Sequence, residues 1–109
     1  MNYFAGHYTM DGPVTHLVIK DDEPISGHLD LEDAHRDISD GRVRYRCGSS
    51  LEFMTVDDIH EVKEQWSLMF SFRRMSLVGT CEQTFKNGKT NTRTVLFKRD
   101  EPTPKACCV

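Results

Sequence analysis

Long hydrophobic runs are missing from this sequence, and no apolar stretch approaches the roughly 20 residues that a membrane-spanning helix needs. The first residues, from Met1 to Phe4, lack the basic segment and apolar stretch that open a secretory signal peptide. Neither sign of charge dominates, since 17 acidic and 14 basic residues give a net charge of −3. We therefore predict a cytoplasmic protein with no membrane partner, and nucleic acid as a partner is disfavoured.

Cysteine is too sparse and too irregularly spaced for a disulfide framework. Two of the four cysteines are the adjacent Cys107 and Cys108, so reduced thiols are expected. Cys47 and Cys81 fall in predicted strands, where cysteine is usually a small buried residue. The sequence also lacks a complete Gly-x-x-x-x-Gly-Lys-Ser/Thr phosphate-binding loop, a Cys-x-x-Cys pair, a Gly-x-Ser-x-Gly elbow and a calcium loop. We predict no catalytic residue, no metal site and no cofactor.

A length of 109 residues corresponds to one domain. We assign residues 1–99 to that domain. Residues 100–109 contain two prolines and two cysteines and are predicted to form a flexible C-terminal tail.

A β-hairpin is the strongest local pattern. Residues 76–86 and 90–99 alternate as strands around Asn87-Gly88, a dipeptide that favours a type I′ turn because both residues tolerate positive φ. Symmetric pairing about this turn predicts two contacts on one face. They are Glu82 with Arg93 and Val78 with Phe97.

The same pattern predicts a first hairpin, in which residues 2–10 and 13–20 flank a turn at Asp11-Gly12. One face is mostly apolar and is expected to meet the core. The opposite face carries His7 directly across from His16. The pairs predicted on the core face are Phe4 with Ile19, Gly6 with Leu17 and Tyr8 with Thr15.

A middle hairpin is predicted from residues 42–47 and 51–54, joined through Gly48, Ser49 and Ser50. Symmetric pairing sets Tyr45 against Phe53 on an apolar face. The charged face carries alternating arginines and one acidic partner. Its members are Arg42, Arg44 and Arg46, with Glu52 opposite Arg46.

Two segments between the hairpins have helical periodicity. The first begins at Asp30 and stops at Gly41, and the second begins at Thr55 and ends near Phe70 with Trp66 in its apolar stripe. The first stripe contains Leu31, Ala34, His35 and Ile38, and the second contains Val56, Ile59, Val62, Trp66, Met69 and Phe70. We therefore predict an α+β fold in the order ββαββαββ, with a mostly antiparallel sheet of about six strands and two helices on one face.

With no catalytic motif, the leading hypothesis is a small protein-binding or inhibitor module that acts stoichiometrically through an exposed sheet face or edge. The predicted binding residues are His7, His16, Arg44 and Arg46. The expected partner is another protein. An unpaired edge strand also allows a homodimer.

Two alternatives remain open. His7 and His16 as cross-strand neighbours are compatible with a small hydrolase or phosphate-handling enzyme, with Tyr8 or Thr9 assisting. The arginine row is compatible with weak RNA binding, although no aromatic residues share its face to stack bases. Residues 21–40 are locally acidic, which suits either a basic protein partner or ordinary solvation.

Overall fold

A computed structural model describes residues 4–10, 15–22, 24–32, 34–44 and 49–100. The regular elements in these ranges are nine β-strands, which form one antiparallel sheet. The strands are β1 (Gly6–Met10), β2 (Thr15–Ile19), β3 (Gly27–Asp30), β4 (His35–Asp37), β5 (Ser39–Arg44), β6 (Ser50–Asp57), β7 (Val62–Ser71), β8 (Ser76–Thr84) and β9 (Thr90–Arg99). The described ranges contain no helix long and apolar enough to cross a membrane.

The sheet curls until its two edge strands lie close together. The strand order is β4-β3-β2-β1-β9-β8-β7-β6-β5, so β4 and β5 are the two edge strands. Only Ile38 separates these strands in the chain, which forces the edges close together. Strand β4 also contacts β6 across the gap. The result is a nearly closed, barrel-like sheet.

The predicted α+β class is therefore wrong, and the fold over the described residues is all-β. The segment from Thr55 to Phe70 was predicted as a helix, but it forms most of the β6–β7 hairpin. Val62, Glu64, Trp66 and Leu68 are all buried, which is a period of two rather than 3.6. Trp66 is in the core as predicted, but on a strand.

Asp57 lies near the start of the segment that was predicted as the second helix, but it stabilises a turn. The carboxylate of Asp57 accepts hydrogen bonds from the backbone N–H groups of Ile59 and His60, both at 3.1 Å. This is an Asx turn, which uses the same short acidic side chain that favours a helix N-terminus. In the other predicted helix, backbone bonds between Leu31 and Ala34 close the β3–β4 hairpin.

The last hairpin forms as predicted, but its register is displaced by one residue. The backbone N–H of Phe85 donates to the carbonyl of Lys89, and the N–H of Gly88 donates to the carbonyl of Phe85. Gly88 has φ of +85°, whereas Asn87 is not among the positive-φ residues. This is a three-residue loop with a type I turn and a bulge, not a type I′ turn. Glu82 consequently faces Thr92, Cys81 faces Arg93, Val78 faces Leu96 and Leu77 faces Phe97.

The first hairpin has the predicted faces and a different register. Met10 pairs with Thr15, so the connection is longer than the predicted turn, whose residues 11–14 lie outside the described ranges. The displacement is two residues, and an even displacement keeps every side chain on its face. In this register Gly6 faces Ile19, Tyr8 faces Leu17, His7 faces Val18 and Thr9 faces His16.

The middle hairpin is displaced by four residues. Val43 pairs with Leu51 and Arg42 pairs with Glu52, so this acid faces Arg42 rather than Arg46. Tyr45, Arg46 and Cys47 lie outside the described ranges.

Large side chains fill the interior of the curled sheet. The Trp66 ring is central, with ring centroids 5.8 Å from Phe53 and 5.8 Å from Phe97. Strands from both halves of the sheet supply the core. Its buried members are Phe4, Tyr8, Leu17, Ile19, Leu29, Leu51, Phe53, Trp66, Leu68, Leu77, Cys81, Val95 and Phe97.

Candidate binding surface

The interior of the curled sheet is a packed core. Phe4, Tyr8 and Phe97 are fully buried there, and the Tyr8 hydroxyl donates to the carbonyl of Phe4 at 2.7 Å. Burial raises the pKa of Tyr8, and nearby Arg99 partly opposes this effect. Tyr8 therefore has a structural role and does not assist a reaction on the outer face.

A buried polar cluster lies on the same inner face and is held together by its own hydrogen bonds. The Trp66 indole N–H donates to Thr55, and the Thr55 hydroxyl donates to Glu64, both at 2.9 Å. Arg36 donates to the same Glu64 carboxylate at 2.7 Å, and Gln83 donates to its other oxygen at 3.2 Å. These polar groups form hydrogen bonds with one another, so the cluster has a structural role.

The outer face of β1 to β4 has a different composition. Together with Asp100, which follows β9, we call it the histidine face and define it by seven residues. Strand alternation puts its members outside, because Tyr8, Leu17, Leu29 and Arg36 point inward between them. The seven are His7, His16, His28, His35, Asp30, Asp37 and Asp100.

Strand register arranges the face in two neighbouring rows. In one row Thr9 faces His16, His16 faces Asp30, and Asp30 faces His35. In the other row Val18 lies between His7 and His28, and Asp37 lies beyond His28. Four of the chain's five histidines thus lie on one surface with three carboxylates.

His35 lies between two carboxylates. Its Nδ1 contacts Asp30, and its Nε2 lies 3.2 Å from Asp37 Oδ1. An imidazole can donate through both nitrogens only when it is protonated, so this geometry favours the imidazolium. Two hydrogen bonds raise the pKa of His35 above its usual value. The bond to Asp30 has the larger effect, and the bond to Asp37 adds to it.

His28 extends this network. Its Nε2 lies 3.3 Å from Asp30 Oδ2, and its ring centroid lies 5.0 Å from that of His35. The Asp30 carboxylate therefore contacts two imidazoles, one through each oxygen.

A second network joins His16 to the end of β9. The Thr9 hydroxyl donates to Asp100 Oδ1 at 2.7 Å and lies 3.3 Å from His16 Nδ1. Since a hydroxyl has only one proton to donate, His16 Nδ1 is the donor to Thr9. The backbone N–H of Asp100 also donates to the carbonyl of His7, which holds this carboxylate against β1.

The structure separates the four binding residues predicted from the sequence. His7 and His16 are both exposed and share the histidine face, but they are not the direct cross-strand pair that was predicted. Arg44 lies on β5, at the other end of the strand order, and its Nε is 2.9 Å from Glu52 Oε1. Arg46 lies outside the described ranges.

Sequence reasoning missed His28 and His35 as neighbours of the first two histidines. His35 was assigned to a helix, and His28 lay between the first predicted hairpin and that helix, so neither side chain was placed on a sheet face. The signal was present in the alternation His28-x-Asp30 and His35-x-Asp37, which is typical of two strands with polar outer positions.

Metal binding is not supported by the present side-chain positions. Within the described ranges, no group of three or more His, Cys, Asp or Glu side chains is arranged to hold a metal ion. Comparison of the chain with protein-family models, with curated proteins and with solved structures found no match.

Proposed function

We propose that this chain is a small protein-binding module that acts stoichiometrically through the histidine face. One observation carries the proposal: four of five histidines and three carboxylates lie together on one outer face, while large side chains fill the interior. Exposed polar residues that cluster without supporting the core are more typical of recognition than of packing.

An enzyme centred on His7 and His16 has less support. Val18 stands opposite His7, and Thr9 stands opposite His16, so these two histidines are not direct cross-strand neighbours. An RNA-binding arginine row also has less support, because Arg42 and Arg44 both contact the Glu52 carboxylate. Both alternatives remain hypotheses behind the binding module.

We propose the cytoplasm as the compartment and another protein as the partner. The buried, free thiol of Cys81 supports a reducing compartment. A homodimer through an edge strand stays a prediction. Strand β4 has only 3 residues, and β5 contains an irregularity between Ser39 and Arg42, two features that usually protect an edge from pairing.

The test is affinity capture from host lysate, followed by a binding isotherm with the purified retained protein. The bait is the full chain, compared with a face variant that carries His7→Gln, His16→Gln, Asp30→Asn and Asp37→Asn. A control variant carries Lys63→Gln and Glu82→Gln, which change exposed residues on β7 and β8.

The proposal predicts one protein that binds the wild type and the control variant at a 1:1 ratio and loses at least tenfold in affinity for the face variant. Equal affinity for all three baits would refute the proposed surface. An Arg44→Ala variant tests the other predicted binding residue separately, and we expect little change because Arg44 lies outside the histidine face.

A further inference from the structure

The charge of the histidine face depends on how many of its four imidazoles are protonated. Three carboxylates give the seven side chains a charge of −3 when all four imidazoles are neutral. Protonation of all four imidazoles adds four positive charges and brings the total to +1. Histidine is the side chain whose charge ordinarily changes between pH 5 and 8.

Charged residues at the border of the histidine face do not cancel this change in its total charge. Strand β9 contributes Lys98, which faces Thr9, and the connection after β2 contributes Lys20. Acidic residues near the same border oppose these two cations. They are Asp21, Asp22 and Glu32.

The carboxylates of the face are accessible to a partner. The Asp37 side chain is 84% exposed and the Asp30 side chain is 41% exposed. Apart from Lys20 and Lys98 at the border, the cations beside these carboxylates are protonated imidazoles. Charge complementarity therefore favours a basic partner surface near neutral pH and disfavours it in acid.

We infer that the histidine face binds a basic protein surface near neutral pH and releases it on acidification, because protonation of its imidazoles reverses the charge of the face. This inference rests on the proposed function, since it specifies the partner and the regulation of the same surface. The face holds four imidazoles, those of His7, His16, His28 and His35. His35 differs from the other three in lying between two carboxylates, those of Asp30 and Asp37.

The test uses the full chain and two labelled peptides, octalysine and octaglutamate, in fluorescence anisotropy titrations at low ionic strength. Three solvent-exposed ion pairs together contribute roughly the free energy of a tenfold change in affinity. From pH 7.5 to pH 5.5, octalysine affinity should fall by about this factor. Octaglutamate affinity should rise over the same interval.

A variant with His7→Gln, His16→Gln and His28→Gln keeps one of the four imidazoles, so its octalysine affinity should change much less between the two pH values than that of the wild type. A His60→Gln variant is the matched control, because His60 is an exposed histidine in the β6–β7 turn, and it should respond to pH as the wild type does. An undiminished pH response in the triple variant would overturn the inference.

The two proposals fail in different ways. If a partner captured through the face stays bound at pH 5.5, the charge inference is wrong and the binding module stands. If octalysine binding responds to pH as expected but no protein depends on the face for binding, the charge inference stands and the proposed function is wrong.

Discussion

The guanidinium of Arg36 donates to the carboxylate of Glu64 at 2.7 Å, across the gap where the curled sheet meets itself. Its other terminal nitrogen lies 3.2 Å from Asp57 Oδ2. Arg36 belongs to the edge strand β4, whereas its two partners belong to β6 and β7. Side-chain ion pairs thus close the sheet where β4 and β5 share no backbone ladder.

Replacing Arg36 with Met should destabilise the fold strongly. The Arg36 and Glu64 side chains are 15% and 4% exposed, and the substitution would leave Glu64 as a buried carboxylate without its cation. Loss of one partner from such a pair costs about 3 to 5 kcal/mol. Chemical denaturation would measure the loss. Arg42→Met is the control, because exposed Arg42 should contribute at most about 1 kcal/mol, and equal losses for the two variants would contradict the closure role.

A side chain at Gly79 should disrupt the centre of the sheet. An added Cβ would lie 1.9 Å from the carbonyl oxygen of Ser67 on the neighbouring strand, and a backbone atom cannot rotate away. We expect Gly79→Ala to cost at least 2 to 3 kcal/mol, roughly the upper range for overpacking. At Gly88 nothing lies within 4 Å, so Gly88→Ala should lose only about 1 to 2 kcal/mol, from its φ of +85°. Thermal unfolding of both variants provides the comparison, and a smaller loss at Gly79 than at Gly88 would refute this packing.

Because of His35, the free energy of unfolding should change with pH at values above the ordinary pKa of histidine. Its pKa is raised in the folded state by Asp30 and Asp37, so its contribution is complete below the unfolded value of about 6.5. The contribution is lost as the pH rises through the higher folded value. An NMR titration should place the His35 midpoint above 6.5 in the wild type and lower in Asp30→Asn. Identical midpoints would show that Asp30 does not hold the proton.

Cys81 should react slowly with alkylating reagents in the folded protein. Burial is the main cause that raises the pKa of its thiol to about 11, and the Glu64 carboxylate adds to the effect. At pH 8 the thiolate is then about one thousandth of the population. Peptide mapping after iodoacetamide treatment should show Cys81 modified only when urea unfolds the chain. Equal labelling with and without urea would place this thiol at the surface.

The local alternation of apolar and polar residues predicted the three hairpins. Their registers depended on loop geometry, which the turn residues alone did not reveal. Asn87-Gly88 supports both a two-residue type I′ turn and a three-residue loop with a bulge, and the choice moves Phe97 from Val78 to Leu77. The faces of the first hairpin were nevertheless correct, because His16 is exposed and Leu17 is buried.

The helical assignments failed because apolar residues in these segments match two periods at once. Around Trp66 the stripe at helical spacing also includes Ile59, which is 85% exposed in a turn. The buried Glu64 hid the alternation, since its carboxylate is tolerated inside only because Arg36 and Thr55 reach it. The Arg36 contact comes from β4, 28 residues away in the chain, and is not visible in a local window. The same error removed His35 from the predicted surface, whereas His28 lay between the predicted elements.

The single-residue junction at Ile38 has a consequence for chain connectivity. β4 and β5 are the only strands adjacent in the described chain that do not pair, and β1 with β9 is the only paired couple that is not consecutive. A circular permutant that opens at Ile38 and links Asp100 to Phe4 would turn the sheet into an uninterrupted meander. Every ladder would then be a local hairpin, so the permutant should fold faster than the natural order.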